Sequence, residues 1–298
     1  MPQFRLSLGL PHAWVHRGGG LPYWVVLSMG AIGLAVIIAV VVVSTGMIER
    51  HFIYFPDRDI STNPSHVGLV YEDVTFVASD GAELHGWFVP GSSRVTILWF
   101  HGNAGNISHR LDNLKLLHDE LKASVFLFDY RGYGRSQGTP SESGTYLDAE
   151  AAIAYLGSRG DGSLDRVIYF GRSLGAAVAV EMGVRHPPYA LILESAFPSV
   201  PYMARRLYPF FPIWPFLHTQ YDSQSKIGKL YVPVLMLHGE DDDTVPIEAA
   251  ERLFEAATDP KHFYTIYGAG HNDTYRGGGE DYFDALRLFL ESNRNVVS

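Results

Sequence analysis

Ser173 stands between two glycines in Gly171-Arg172-Ser173-Leu174-Gly175, where the β-branched and aromatic run 167–170 gives way to the alanine-rich run 176–180. The first run reads as a strand buried on both faces and the second as a buried helix, so the hydroxyl falls at the corner between them. A serine in such a turn is exposed beside a helix N-terminus, whose amides favour developing negative charge. The bare pattern G-x-S-x-G also occurs in ordinary turns; the strand before it and the helix after it favour a nucleophile. Serine is a weak nucleophile near neutral pH, so a base must take its proton and an acid must hold that base in one tautomer. Both residue types follow. A strand over 234–237 opens into His238-Gly239-Glu240-Asp241-Asp242-Asp243-Thr244-Val245-Pro246, and a strand over 263–267 opens into Gly268-Ala269-Gly270-His271-Asn272-Asp273. His271, with glycine before it and a loop around it, is read as the base, and His238 and His262 as packing or surface residues. Spacing alone leaves Asp241, Asp242 and Asp243 open, with solvated surface charge as the plain role of two of them. Acyl transfer also needs donors aimed at the oxyanion. One is the amide of Leu174, the residue after the nucleophile. The other is assigned to the amide of Asn103, with Ala104 as fallback, in the loop Phe100-His101-Gly102-Asn103-Ala104-Gly105-Asn106; its glycines let backbone come close to a ligand, and His101 is read as orienting it.

These loops need a scaffold that brings them to one edge. Strand patterns run over 70–78, 83–89, 95–100, 125–128, 167–170, 191–193, 234–237 and 263–267, and helical patterns over 110–121, 146–156, 247–257 and 282–290. Strands alternating with helices make a mainly parallel sheet covered on both faces, which sets each loop after a strand on one edge. The stretch 197–217 breaks the rhythm with five prolines among many aromatics, so it is expected as short helices and turns. It reads either as a hydrophobic insertion on the core or as a lid, about 197–228, over an apolar pocket. The segment Asp129-Tyr130-Arg131-Gly132-Tyr133-Gly134-Arg135-Ser136 is expected to shape the pocket wall.

With 298 residues, 47% of them hydrophobic, the chain has ample material for one large domain plus an accessory segment. Its net charge is −9 with no Lys/Arg cluster in the body, which removes the electrostatic footprint of nucleic-acid binding. It has no cysteine, so disulfides, thiolate nucleophiles and Cys-ligated zinc are excluded; no metal or organic cofactor is expected. Residues 24–43 carry no charge and are long enough to cross a bilayer as a helix, so the expected organisation is a tail over 1–23, a transmembrane helix over 24–46, a juxtamembrane linker over 47–65 and a catalytic domain over 66–298. A cleaved signal peptide is the rival reading, against which stand the length of the apolar run and the lack of an A-x-A-like site. Arg5 and Arg17 before the span balance Arg50 and Arg58 after it. His12, His16 and the amino terminus tip the expectation toward a domain on the extracytoplasmic side.

From residue 70 onward the chain resembles the α/β-hydrolase superfamily, with HGNAGN, DYRGYGRS, GRSLGA, ESAF, HGEDDDTVP and GAGHND in family order, and it looks like the membrane-anchored α/β-hydrolase-domain branch. That branch is similar to serine-aminopeptidase-like and monoacylglycerol-lipase-like hydrolases and to protein depalmitoylases. The order Ser, Asp, His is the one described for this fold. The resemblance implies an α/β-hydrolase fold and puts the aspartate of HGxxDxxVP on Asp242, with Glu194 as an alternative acid because some members carry theirs after that strand. It implies a serine hydrolase acting on an ester or thioester; the apolar lid and the membrane tether, rather than the resemblance, favour an acyl or lipid-like substrate, with the bilayer as partner through the N-terminal helix. An aminopeptidase, whose substrate amine Glu194 or Asp243 would meet, and a silent membrane-tethered binding protein are the other readings.

Overall fold

The computed structural model describes residues 22–44, 47–160, 166–210 and 214–293, with the side chains of 37–44, 47 and 48 outside the description. The chain divides into two units, Met1–Thr45 and Gly46–Ser298. The described part of the first is the helix α1 (Tyr23–Ser44). Among the described residues no helix is long and apolar enough to cross a membrane. The expected span over 24–46 extends through 37–46, where side chains or placement lie outside the description, as do Arg5, His12, His16 and Arg17.

The second unit runs α2 (Met47–Ile53), β1 (Phe55–Pro56), β2 (Glu72–Val77), β3 (Glu83–Val89), β4 (Thr96–Phe100), β5 (Ala104–Gly105), α3 (Leu111–Leu121), β6 (Ser124–Asp129), α4 (Glu142–Ser158), β7 (Val167–Arg172), α5 (Leu174–Arg185), β8 (Ala190–Glu194), α6 (Val200–Leu207), α7 (Gln224–Ile227), β9 (Val234–Gly239), α8 (Ile247–Ala256), β10 (Lys261–Ile266), α9 (Thr274–Gly277) and α10 (Gly279–Ser292). Eight strands form one sheet in the order β10-β9-β8-β7-β4-β6-β3-β2. Only β3 runs against its neighbours, pairing antiparallel with β2 and β6, while the strands from β6 to β10 are parallel.

The unbroken apolar runs are explained by burial on both faces. Along β4, Leu98 and Phe100 face one apolar layer and Ile97 and Trp99 the other; along β8, Leu191 and Leu193 alternate in the same way with Ile192. Ala149, Ala152 and Leu156 of α4, α5 from Ala176 to Met182, and Leu253 of α8 cover the first face. Leu114 and Leu117 of α3 and Tyr282, Phe283 and Leu286 of α10 cover the second. Each leucine, isoleucine, valine, phenylalanine or methionine among them, removed from water, contributes roughly 1.5–3 kcal/mol. The α4 helix begins earlier than its apolar pattern because Ser141 caps it, its side chain accepting from the Gly144 amide.

Between β8 and β9 the proline-rich stretch forms short elements, as its composition dictates. Ser199 caps α6, Pro201 sits in the first turn where its missing N–H costs nothing, and a single 3₁₀ turn, Trp214–Phe216, follows. Leu207, Tyr208, Phe210 and Phe216 are left exposed.

Candidate active site

The β7–α5 corner holds Ser173 at φ 52° and ψ −119°, backbone that a non-glycine residue adopts only when its surroundings impose it. The imposition is visible. The Ser173 amide donates to the Glu194 carbonyl (2.9 Å) and the Ser173 carbonyl accepts from the Ala176 amide (2.9 Å). A Cβ on Gly171 would lie 2.5 Å from the Gly175 carbonyl oxygen, and one on Gly175 only 2.0 Å from that of Phe100. The two glycines of the motif therefore let the turn close and let α5 start against the end of β4.

At this edge the loops after β9 and β10 bring two further side chains to the serine. His271 Nε2 lies 3.2 Å from Ser173 Oγ, and His271 Nδ1 lies 2.7 Å from Asp242 Oδ2. A carboxylate only accepts, so Nδ1 carries the proton and the Nε2 lone pair faces the hydroxyl. The other Asp242 oxygen accepts from the amides of Thr244 (3.0 Å) and Val245 (2.7 Å). Burial pushes the Asp242 carboxyl up, yet the hydrogen bond and charge of His271 and the Val245 amide outweigh it and hold the group below its ordinary value. Asp241 and Asp243 are exposed, so of the three consecutive aspartates only Asp242 turns inward. His238 is buried behind it, its Nε2 donating to the Val245 carbonyl (2.8 Å), and burial pushes its imidazole below its ordinary value.

Glu194 has a different part. Its buried carboxylate pairs with Arg172 Nε (3.1 Å) and accepts from Thr274 Oγ1 (2.6 Å) and the Tyr282 hydroxyl (2.6 Å). Arg172 in turn donates through Nη2 to the His271 carbonyl and to Asn272 Oδ1 (3.3 Å). The residue inside G-x-S-x-G thus ties the serine turn to the histidine loop, a role the sequence reading missed. The available signal was a charged side chain at the end of a strand otherwise apolar enough to be buried on both faces.

The loop after β4 lies against the nucleophile, since a Cβ on Gly102 would sit 3.5 Å from Ser173 Cβ. Its peptide direction is set by the buried His101, whose Nδ1 donates to the Gly102 carbonyl (2.7 Å), with Arg110 Nη2 at 3.4 Å. In a trans peptide the following N–H points the opposite way, so the Asn103 amide is turned from that side. His101 Nε2 is 3.6 Å from Asp129 Oδ1. Burial raises the Asp129 carboxyl to about 8, against the lowering influence of the Ile107 amide and Arg110. Folded Asp129 then keeps its proton over a range in which the unfolded side chain, near 3.8, has lost it. The folded state binds more protons between these limits, so its contribution to stability falls as pH rises from about 4 to about 8. Asp129→Asn, which mimics the protonated acid, is expected to flatten this decline; urea midpoints at pH 5 and pH 8 check it, and an equal decline in both proteins would remove Asp129 as its source.

Asp129–Ser136, expected to shape the pocket wall, braces this region. Arg131 is engaged by Asp148 (2.8 Å) and Asp80 (2.7 Å), and the Tyr133 hydroxyl donates to the Asn103 carbonyl (2.8 Å).

Similarity to known proteins matches this architecture. The alpha/beta hydrolase domain-containing protein WAV2 of Arabidopsis thaliana is 35% identical over 270 residues, covering 82% of this chain and 87% of its own. The chain belongs to the α/β-hydrolase superfamily. The uncharacterized protein Rv2307c of Mycobacterium tuberculosis is 41% identical over 266 residues, covering 86% of this chain and 94% of its own. The family model described as serine aminopeptidase, S33, matches residues 91–215, which include the Ser173 turn and the loop after β4. Among solved structures, the Pyrococcus furiosus esterase Pf2001 superposes with a TM-score of 0.67 at 22% identity, covering 80% of this chain and 98% of that one, a likeness of fold. The β3 antiparallel to an otherwise parallel run is thus the hydrolase sheet.

Proposed function

We propose that this α/β-hydrolase is a serine hydrolase that cleaves carboxylic esters or thioesters through an acyl-enzyme. The observation that carries the reading is the Ser173–His271–Asp242 line, 3.2 Å and 2.7 Å between successive polar atoms, anchored on a serine held at positive φ. Ser173 Oγ attacks the acyl carbon as its proton passes to His271 Nε2. Asp242 keeps the ring in the required tautomer and stabilises the imidazolium. The oxyanion is met by the amides of Leu174, at the head of α5, and Asn103. His271 returns the proton to the departing alcohol or thiol, and water, activated by the same histidine, releases the acid.

An acyl or lipid-like substrate is favoured by the exposed Leu207, Tyr208, Phe210 and Phe216 between β8 and β9, which read as a lid. An aminopeptidase reading is weakened by Glu194, whose carboxylate is buried and already engaged by Arg172, Thr274 and Tyr282. Membrane tethering through residues 24–43, with the domain extracytoplasmic, is part of the same proposal and rests on their uncharged apolar sequence.

The test is hydrolysis of p-nitrophenyl esters of rising acyl length by the full chain in detergent, with fluorophosphonate labelling of the same sample. Turnover rising from acetate toward longer chains, with covalent labelling, is the expected result. A folded protein that neither labels nor turns over would leave the silent binding protein as the reading.

A further inference from the structure

The segment expected as a linker, 47–65, belongs to the second unit and is bonded to the loop beside Ser173. Asn103 Nδ2 donates to the Ile53 carbonyl at the end of α2 (2.8 Å), and the Phe55 amide donates back to the Asn103 carbonyl (2.9 Å). The strand pair continues with β1 parallel to β5, Phe55 opposite Ala104 and Pro56 opposite Gly105, and the Asp57 amide reaches the Gly105 carbonyl (3.1 Å). Beyond it, the Asp57 carbonyl accepts from the Gly134 amide (2.8 Å) and from Asn106 Nδ2 (3.2 Å). The same short segment grips the return of the lid. The buried Tyr54 hydroxyl shares a hydrogen bond with that of Tyr221 (2.9 Å), and the Glu49 carboxylate accepts from the amides of His218 (2.9 Å) and Thr219 (3.0 Å).

We infer that residues 53–57 are a positioning strand of the active site, holding the Asn103 amide in its donor direction, with the Asn103 side chain as its clasp. The inference rests on the serine-hydrolase reading above. The carbonyls on either side of the Asn103 residue are both held: that of Gly102 by His101, that of Asn103 by Phe55 and Tyr133. With both ends held, the N–H between them has little torsional freedom left, and a donor that needs no reorganisation is worth most at the moment charge develops. Asn103 thus serves twice, its backbone N–H toward the substrate and its side-chain amide toward Ile53.

The test uses the full chain and three variants, with rates expressed per active site counted by burst titration. Asn103→Ala removes the clasp and leaves the backbone amide, while Phe55→Pro removes the N–H that fixes the Asn103 carbonyl together with the Tyr133 hydroxyl; Ser173→Ala is the control. Loss of a whole oxyanion donor costs about 10²–10³ in kcat, so a donor left loose is expected to cost about 10-fold to 100-fold. KM for a short p-nitrophenyl ester should not change, and a trifluoromethyl ketone inhibitor should weaken in proportion to kcat/KM. A merely structural role would lower the number of titrated sites and leave the rate per site at the wild-type level; that result in both variants overturns the inference. Should one variant not fold, the other decides. If Ser173→Ala still turns over, the serine-hydrolase reading itself falls and the inference with it. If Ser173→Ala is inactive while both positioning variants turn over normally, the inference alone falls.

Discussion

Replacing Ser173 by alanine is expected to lower kcat for ester hydrolysis by a factor on the order of 10⁶ and to abolish fluorophosphonate labelling, because the nucleophile and its base act as one unit. The substitution removes one oxygen and leaves the turn intact. Positive φ is imposed by the backbone bonds to Glu194 and Ala176 and by the close approaches at Gly171 and Gly175, none of which involve the hydroxyl. Thermal unfolding should therefore stay close to wild type, which separates loss of chemistry from loss of fold. Residual hydrolysis above background would come from the oxyanion donors and binding alone. Labelling that persists in Ser173→Ala would move the nucleophile to another serine and sink the assignment.

The second large effect is expected at Asp242, where Asp242→Asn should lower kcat on the order of 10⁴-fold. The carboxylate accepts from His271 Nδ1 at 2.7 Å and fixes the tautomer in which Nε2 can take a proton. An asparagine can turn its NH₂ toward Nδ1, which moves the ring proton to Nε2 and blocks transfer from Ser173. Its oxygen can still accept from the Thr244 and Val245 amides, so the loop should hold. The native group titrates below its ordinary value of 3.8, so the stability it contributes is present above about pH 4 and is lost as the pH falls through the folded value. The asparagine variant should lack that acid-side loss. Glu194→Gln provides the contrast: were it the substitution that removed turnover by changing the histidine tautomer, and Asp242→Asn a mild one, the acid would have been misassigned.

Much of the scaffold can be read directly from residue order. The apolar runs of β4, β7, β8 and β9 are local signals, as is the change to an alanine-rich helical pattern after Gly175, and the sheet contains all eight expected strands. Element ends were less legible. The α4 helix starts at Glu142 because of a cap, and β1 and β5, two residues each, are too short to carry a pattern and exist only as partners of each other.

By itself, then, the sequence determined the order of strands and helices, the turn around Ser173, and the loops that would share its edge, since hydrophobic period and glycine spacing act over a few residues. Spacing left Asp241, Asp242 and Asp243 open, the family resemblance pointed to Asp242, and the tertiary structure brings Asp242 to His271; only the tertiary structure decided that Glu194 serves Arg172 and the His271 loop, and that 53–57 pairs with the loop carrying Asn103. Those outcomes depend on side-chain direction and on contacts between residues far apart in the chain. Neighbouring residues of one chemical type look alike in sequence, and burial at a particular place in the fold is what tells them apart.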